Sequence, residues 1–210
     1  MLRPTRTRDS ERGAAAVEFA LIAMPLILLL FMIAEAAFLM KDYVSVSSAV
    51  RTGARTASAS AGAGPGTCAA SVSPPPCTPA NAPAFAQGAA DAIQTTASAL
   101  NSEDVEWVMI YKPGANGFPL GQSDLTCSST CVKYEWDAGL SKFRYSSGSW
   151  ASASVNACVN HADRDSVGVG MLVNHRMVSG IFGAEKSIQE HTVMQFEPLP
   201  NDVCMPGTHA

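Results

Sequence analysis

GAAAVEFALIAMPLILLLFMIAEAAFLM is the sequence of residues 13–40, and this stretch decides the fold of the chain. No charged residue lies between Phe19 and Ala34, and the rest of the run adds only Glu35. A helix that crosses a bilayer needs about 20 apolar residues. Residues 14–40 are therefore predicted to form a transmembrane helix that separates a short leader from the rest of the chain.

The charges of residues 1–13 predict the orientation of this helix. An excess of basic residues keeps the flank that carries it in the cytoplasm. The leader is therefore expected in the cytoplasm and the C-terminal part outside it, as in a single-pass membrane protein. Its basic residues are Arg3, Arg6, Arg8 and Arg12, against the acidic Asp9 and Glu11.

The small residues of this segment precede its apolar core, whereas a secretory signal has a shorter core and a small-residue cleavage site after it. Glu18 is unusual, because a carboxylate at membrane depth costs about 2.5 kcal/mol or more and usually has a partner. A cut after Gly13 would leave an ammonium group on Ala14. The ammonium group of a neighbouring subunit is a suitable partner for Glu18.

This arrangement resembles type IV prepilins, which have a short basic leader, a glycine at the cut and a glutamate five residues later. Gly13, Glu18 and Phe19 match that pattern. The closer resemblance is to the TadE-like minor pilins, or pseudopilins, of the tight-adherence (Flp) pilus system. Their pattern adds a proline and a second glutamate, found here as Pro25 and Glu35. The resemblance is specific in the first forty residues and looser afterwards.

The resemblance implies cleavage after Gly13 by a prepilin peptidase, and a role for the mature chain in pilus assembly and adhesion. Glu18 and Phe19 would act in assembly; Glu35 would pair with a neighbouring subunit or reach lipid headgroups. The implied partners are the membrane lipid bilayer, the prepilin peptidase, other pilins and Tad assembly proteins, with no cofactor. The alternatives are an uncleaved, signal-anchored adhesin or binding domain and an anchored envelope enzyme.

Composition excludes nucleic acid as a partner. The chain has 210 residues and a net charge of -4, and no cluster of Lys and Arg lies outside the leader. A nucleic-acid-binding surface needs such a cluster. About 170 residues follow the membrane segment, which suits one exported domain.

All six cysteines follow the membrane segment, and an even number in an exported part predicts disulfides in an oxidising compartment. Six cysteines allow fifteen pairings. The favoured pairs are Cys68 with Cys77 and Cys158 with Cys204. Cys127 and Cys131 either bond to each other or find other partners; half of a zinc site is the rival interpretation, and it lacks a second pair.

The remaining sequence predicts an α+β fold. Residues 41–60 continue the long helix: Val46 and Val50 recur at helical spacing, and resemblance to the Ala-Arg-rich stretch of TadE-like chains favours a helix over a strand. Residues 61–83 form a Pro/Gly/Ala-rich loop, and residues 84–210 form the exported α+β domain. That domain is predicted to have a second helix packed on a small, mainly antiparallel, disulfide-stapled sheet. The predicted elements are a helix at 84–100, ended by Asn101, strands at 105–111, 131–136, 142–145, 165–174 and 187–196, and a turn at 147–149.

Motifs of catalysis are missing: we find no nucleophile elbow, no phosphate loop and no zinc-protease helix. Asp163 to Gly168 opens like a calcium-binding loop, but Val167 and Asn174 stand at two ligand positions, so a turn before a strand is favoured. The histidines match no metal motif: His161, His175, His191 and His209. Arg51 and Arg55 lie one helical turn apart, either on a solvated face or opposite acids of a neighbouring subunit. We therefore predict a structural protein, with no enzyme activity, metal or small-molecule substrate.

Overall fold

A long helix, a second helix and a five-stranded sheet form the part of the chain that the computed structural model describes. That part comprises residues 8–68, 78–159, 164–180, 183–200 and 202–204, with side chains from residue 13 onward. Its elements are α1 (Arg8–Ala59), α2 (Ala84–Thr96), β1 (Val105–Tyr111), β2 (Cys131–Asp137), β3 (Lys142–Ser149), β4 (Ser166–Arg176) and β5 (Glu185–Gln195).

Helix α1 has two parts with different surroundings. Its 52 residues would span about 78 Å at 1.5 Å per residue. From residue 13 to Ala34 almost every side chain is exposed, and Glu35 is the first buried residue of the described side chains. The second part packs against the domain through the face predicted from helical spacing, so the helix continuation is confirmed. The buried residues on this face include Val46, Val50, Ala54 and Ala57.

Helix α2 lies beside α1 on the sheet: α1 contacts β4 and β5, whereas α2 contacts β3 and β1. Small residues let the two helices approach closely, since a Cβ atom added to Gly53 would lie 2.7 Å from Ile93. The predicted end of this helix was wrong: α2 stops at Thr96, and the Asn101 side chain instead accepts the Glu103 N–H at the start of a short 3-10 helix. An asparagine caps a helix start at least as well as it stops a helix.

The sheet has the strand order β3-β2-β1-β4-β5, and every neighbouring pair is antiparallel. One face packs on the helices. The other carries a smaller apolar cluster of Trp107, Met109, Tyr111 and Leu125 with Cys131. The five predicted strands are all present, with boundaries shifted by a few residues, and the predicted α+β class is confirmed.

The predicted turn at 147–149 is wrong, because β3 continues through Ser149. Lys133 pairs with Ser147, but Tyr134 pairs with Tyr145, so the strand gains one extra residue at a bulge. Gly148 adopts a φ of 96° inside the strand, a conformation that glycine reaches without steric cost. Ser147, Gly148 and Ser149 thus form an irregular end of β3 and not a turn.

Two disulfides join cysteines that both lie within the described residues of the domain. Cys127 bonds to Cys131 across a short loop. Cys158 bonds to Cys204 and ties the C-terminal segment to the start of β4. The expectation of a disulfide-stapled domain is confirmed. Cys77, His161 and His209 lie outside the described residues, as do Asp163 and the first seven residues of the leader.

Candidate functional site: Glu18 and Glu35 of the long helix

The predicted processing and assembly residues lie on the exposed, apolar part of α1. Gly13, Ala14, Glu18 and Phe19 are all exposed, and Phe19 is 73% exposed. A Cβ atom added to Gly13 would meet no atom within 4 Å, so packing within the chain does not require glycine there. Among the described residues Glu18 has neither a hydrogen bond nor an ion pair.

Glu35 is in the opposite situation. Its side chain is only 4% exposed, and its carboxylate accepts hydrogen bonds from the end of the β4–β5 hairpin. The N–H of Val178 donates to Oε1 at 2.6 Å, and the N–H of Ser179 donates at 3.2 Å. The Ser179 hydroxyl donates to Oε2. A buried carboxylate is tolerated when such donors surround it.

A second polar contact joins the same hairpin to α1. His175 Nδ1 lies 2.6 Å from Asp42 Oδ2, and the His175 side chain is buried. Asp42 follows Glu35 by seven residues, which is two turns of helix, so both acids lie on one face of α1. We call the five residues in these two contacts the hairpin clamp: Glu35, Asp42, His175, Val178 and Ser179.

The sheet register explains why the hairpin reaches α1 at this level. Val105, the first residue of β1, pairs with Val173. The β4–β5 ladder goes on for three more pairs, to Arg176 opposite Glu185. The hairpin therefore extends beyond the rest of the sheet, along α1 and toward its apolar part.

Sequence reasoning singled out Glu35 but missed its partners. The contact joins residues more than 140 positions apart, and the hairpin end has no repeating pattern. One indication of His175 was present, because the buried alternation of Val167, Val169, Met171 and Val173 continues to it. A polar residue on the buried face of a strand needs a partner, and Asp42 is an acid just beyond the apolar run.

A groove of about 520 Å³ lies between α1 and β5, beside the clamp. Its lining is mostly apolar and includes Leu39, Met40 and Ile188. Tyr43 borders it and donates a hydrogen bond to Glu190; this bond and the negative charge of Glu190 raise the pKa of Tyr43. No nucleophile with an adjacent base lines the described part of this groove.

Other predicted candidates have ordinary surroundings. Arg51 and Arg55 are exposed on α1. Asp165 forms an ion pair with Lys112 at 2.7 Å and accepts the backbone N–H of Asn156. His191 packs beside the ring of Phe118. Within the described ranges, no three His, Cys, Asp or Glu side chains stand close enough to hold a metal ion.

Comparisons with known proteins place the N-terminal segment in a family. Residues 13–55 match the family described as TadE-like protein. No curated protein and no solved structure matches the chain significantly. The described chain contains a helix, within Gly13–Ala59, that is long and apolar enough to cross a membrane. With the family match, this helix fits a membrane-anchored protein. The match over residues 13–55 supports a TadE-like protein of the tight-adherence pilus system.

Proposed function

We propose that the chain is a minor pilin, or pseudopilin, that a prepilin peptidase cuts after Gly13 and that acts in assembly of a Flp-type pilus and in adhesion. In this proposal residues 1–13 are a cytoplasmic leader, residues 14–40 cross the membrane, and the disulfide-stapled domain is extracytoplasmic. The protein has a structural role and no catalytic one.

The contrast between Glu18 and Glu35, the two glutamates of the apolar part of α1, carries the proposal. Glu35 finds three donors within its own chain. Glu18 is exposed on an apolar helix surface and has no partner among the described residues. Because an unpaired carboxylate costs free energy at membrane depth, Glu18 needs a cation from outside the chain. The ammonium group that cleavage creates on Ala14 of a neighbouring subunit supplies one.

Gly13 adds a second argument. Glycine inside a helix costs about 1 kcal/mol relative to alanine, and the open space around Gly13 gives no packing reason for it. A peptidase that must bring its catalytic groups close to the backbone gives a reason. The glycine is then a recognition element rather than a structural one.

The test is the N-terminal sequence of the protein extracted from membranes of its native host. We expect it to begin at Ala14, and we expect Gly13→Leu to block this processing. We expect Glu18→Ala to be processed normally but to reduce pilus assembly. Leu21→Ala is the matched control, because Leu21 is 71% exposed on the same helix and carries no charge.

An N-terminus that still carries the leader would overturn the pilin proposal and favour a signal-anchored binding domain. Normal pilus assembly by Glu18→Ala would overturn the role of Glu18 alone.

A further inference from the structure

We propose that the end of the β4–β5 hairpin, Met177 to Gly180, is a second membrane contact that enters the bilayer interface beside α1. The partner is the lipid surface, and the proposal rests on the membrane span of the proposed function. The hairpin end would set the depth and tilt of the domain on the outer face of the membrane.

The level of the hairpin end along α1 is the first argument. The far end of β5 is fixed near the end of α1, where the N–H of Glu197 donates to the Ser58 carbonyl at 2.9 Å. The near end reaches Glu35 through Ser179. Helix and strand therefore run side by side, and the hairpin end lies at the level where the exposed apolar surface of α1 begins.

The second argument is how the polar groups of the hairpin end are satisfied. Lipid offers no hydrogen bonds, so backbone groups that enter it must be paired within the protein. The N–H groups of Val178 and Ser179 are paired with Glu35. Met177 donates to the Ala184 carbonyl, and Gly183 donates to the Gly180 carbonyl.

The contact between Glu35 and the hairpin satisfies polar groups on both sides. Glu35 satisfies donors that the hairpin would otherwise present to lipid, and the hairpin covers the only charge between Phe19 and Met40. What the hairpin end leaves outward is apolar: the Val178 side chain is 74% exposed. A β-branched apolar side chain in that position fits hydrocarbon better than water.

Charges near the hairpin end are arranged as at a bilayer surface. Lys186 is exposed and lies opposite His175, which contacts Asp42. This lysine therefore lies near the level of residue 42, about 10 Å above Glu35 at 1.5 Å per residue. Lysines in such positions reach lipid phosphates while apolar neighbours lie deeper. At the last pair of the hairpin Glu185 opposes Arg176, which forms an ion pair with Asp104.

Continuity with the membrane helix favours lipid over a protein partner. The apolar surface at Val178 adjoins a groove lined by Met32, Ala36 and Leu39 of α1. Phe38 and Met40, at this level of α1, are themselves exposed and apolar. One lipid environment accounts for both surfaces.

The test places a tryptophan at three exposed sites of the full chain, reconstituted in phosphatidylcholine vesicles that contain brominated lipids as quenchers. The variants are Val178→Trp, Leu26→Trp and Val159→Trp. Leu26 lies in the apolar run and is 55% exposed; Val159 is 54% exposed and lies near the start of β4, at the opposite end of the sheet from the hairpin. The emission of each variant is compared with that of the unchanged protein.

We expect lipids brominated near the headgroup to quench the added emission of Val178→Trp, and lipids brominated deep in the chain to quench Leu26→Trp. Val159→Trp should lose no more emission than the unchanged protein. Quenching of Leu26→Trp but not of Val178→Trp would overturn this inference and leave the membrane span intact. Loss of quenching at both sites would overturn the span as well. A shift of Val178→Trp emission to shorter wavelength without quenching would assign the surface to a second copy of the chain.

Discussion

At the scale of single residues, Glu18 and Glu35 of α1 follow the same rule with different partners. Each places a carboxylate on an apolar helix, and each therefore needs donors or a cation. Glu35 obtains them within the chain. In the structure the Glu35 carboxylate is bonded to the hairpin of the same molecule. The two roles that the sequence left open for Glu35, pairing with a neighbouring subunit or reaching lipid headgroups, stay predictions.

Removal of the Glu35 carboxylate should loosen the hairpin end. Glu35→Ala leaves the Val178 and Ser179 N–H groups without an acceptor, and an unsatisfied buried donor costs about 1–3 kcal/mol. At about 1.4 kcal/mol per factor of ten, their amide hydrogens should exchange about ten to a hundred times faster in the detergent-solubilised chain.

Two further variants and one distant amide make this prediction specific. Glu35→Gln keeps one acceptor oxygen and should have a smaller effect. Ser179→Ala removes only the hydroxyl donor and should leave the N–H of Val178 protected. The N–H of Leu199, bonded to the Ala157 carbonyl, should exchange at its original rate in all three. Equal protection of Val178 with and without Glu35 would contradict the clamp.

At the scale of elements, the contact between α1 and α2 depends on small side chains. Gly53 has no room for a Cβ atom beside Ile93, whereas a Cβ atom on Gly88 would lie 3.8 Å from Thr56, an ordinary contact. The two glycines therefore have different roles, although both lie inside a helix. Gly53 is required by packing, and Gly88 is not.

Gly53→Val should destabilise the protein by about 1–3 kcal/mol, the usual cost of overpacking a core. Gly88→Ala should instead stabilise it by about 0.5–1 kcal/mol, because alanine favours helix where space permits. Denaturant unfolding of the full chain in detergent measures both. Adding Ile93→Ala to Gly53→Val should recover part of the loss; if the double variant is no better than the sum of the single variants, the clash is elsewhere.

The disulfides should differ in what they contribute. In the chain-entropy account, the benefit grows with the length of the closed loop. Cys158 and Cys204 are separated by 46 residues and Cys127 and Cys131 by 4. Replacing the first pair by alanine should cost about 4 kcal/mol and replacing the second about 2 kcal/mol. Equal losses in denaturant unfolding would contradict this ordering.

Elements with a clear periodic pattern could be predicted from the sequence, and those defined by contacts could not. The face of α1 that contains Val46 and Val50 was found because burial repeats every helical turn. Strand β1 was found because β-branched and aromatic residues fill it. The extension of β3 through Gly148 was missed because a bulge and a positive φ depend on the neighbouring strand. The partners of Glu35 were missed because no local pattern records a contact between distant segments.

At the scale of the whole molecule, the chain divides into a helix with an exposed apolar surface and a domain that buries its apolar side chains in a core. The exposed side chains from Val17 to Ile33 are apolar except for Glu18. The domain carries the disulfides and most of the charges. The hairpin clamp joins these two parts, because two of its residues lie on α1 and three lie on the hairpin. It therefore fixes the orientation of the domain relative to the exposed part of α1.

The domain should lose stability at high pH because two tyrosines on β1 and β2 are buried. Burial raises the pKa of the Tyr111 and Tyr134 hydroxyls well above 10, the ordinary value expected for the unfolded chain. Above pH 10 the unfolded chain therefore releases protons that the folded chain still holds, so stability is complete below pH 10 and falls as the pH rises further. Each tyrosine contributes a slope of about 1.4 kcal/mol per pH unit.

Denaturant unfolding between pH 8 and pH 12, with Tyr134→Phe as a comparison, measures this dependence of stability on pH. The Tyr134→Phe curve should fall about half as steeply, since phenylalanine does not titrate, and an unchanged slope would show that Tyr134 does not link stability to pH.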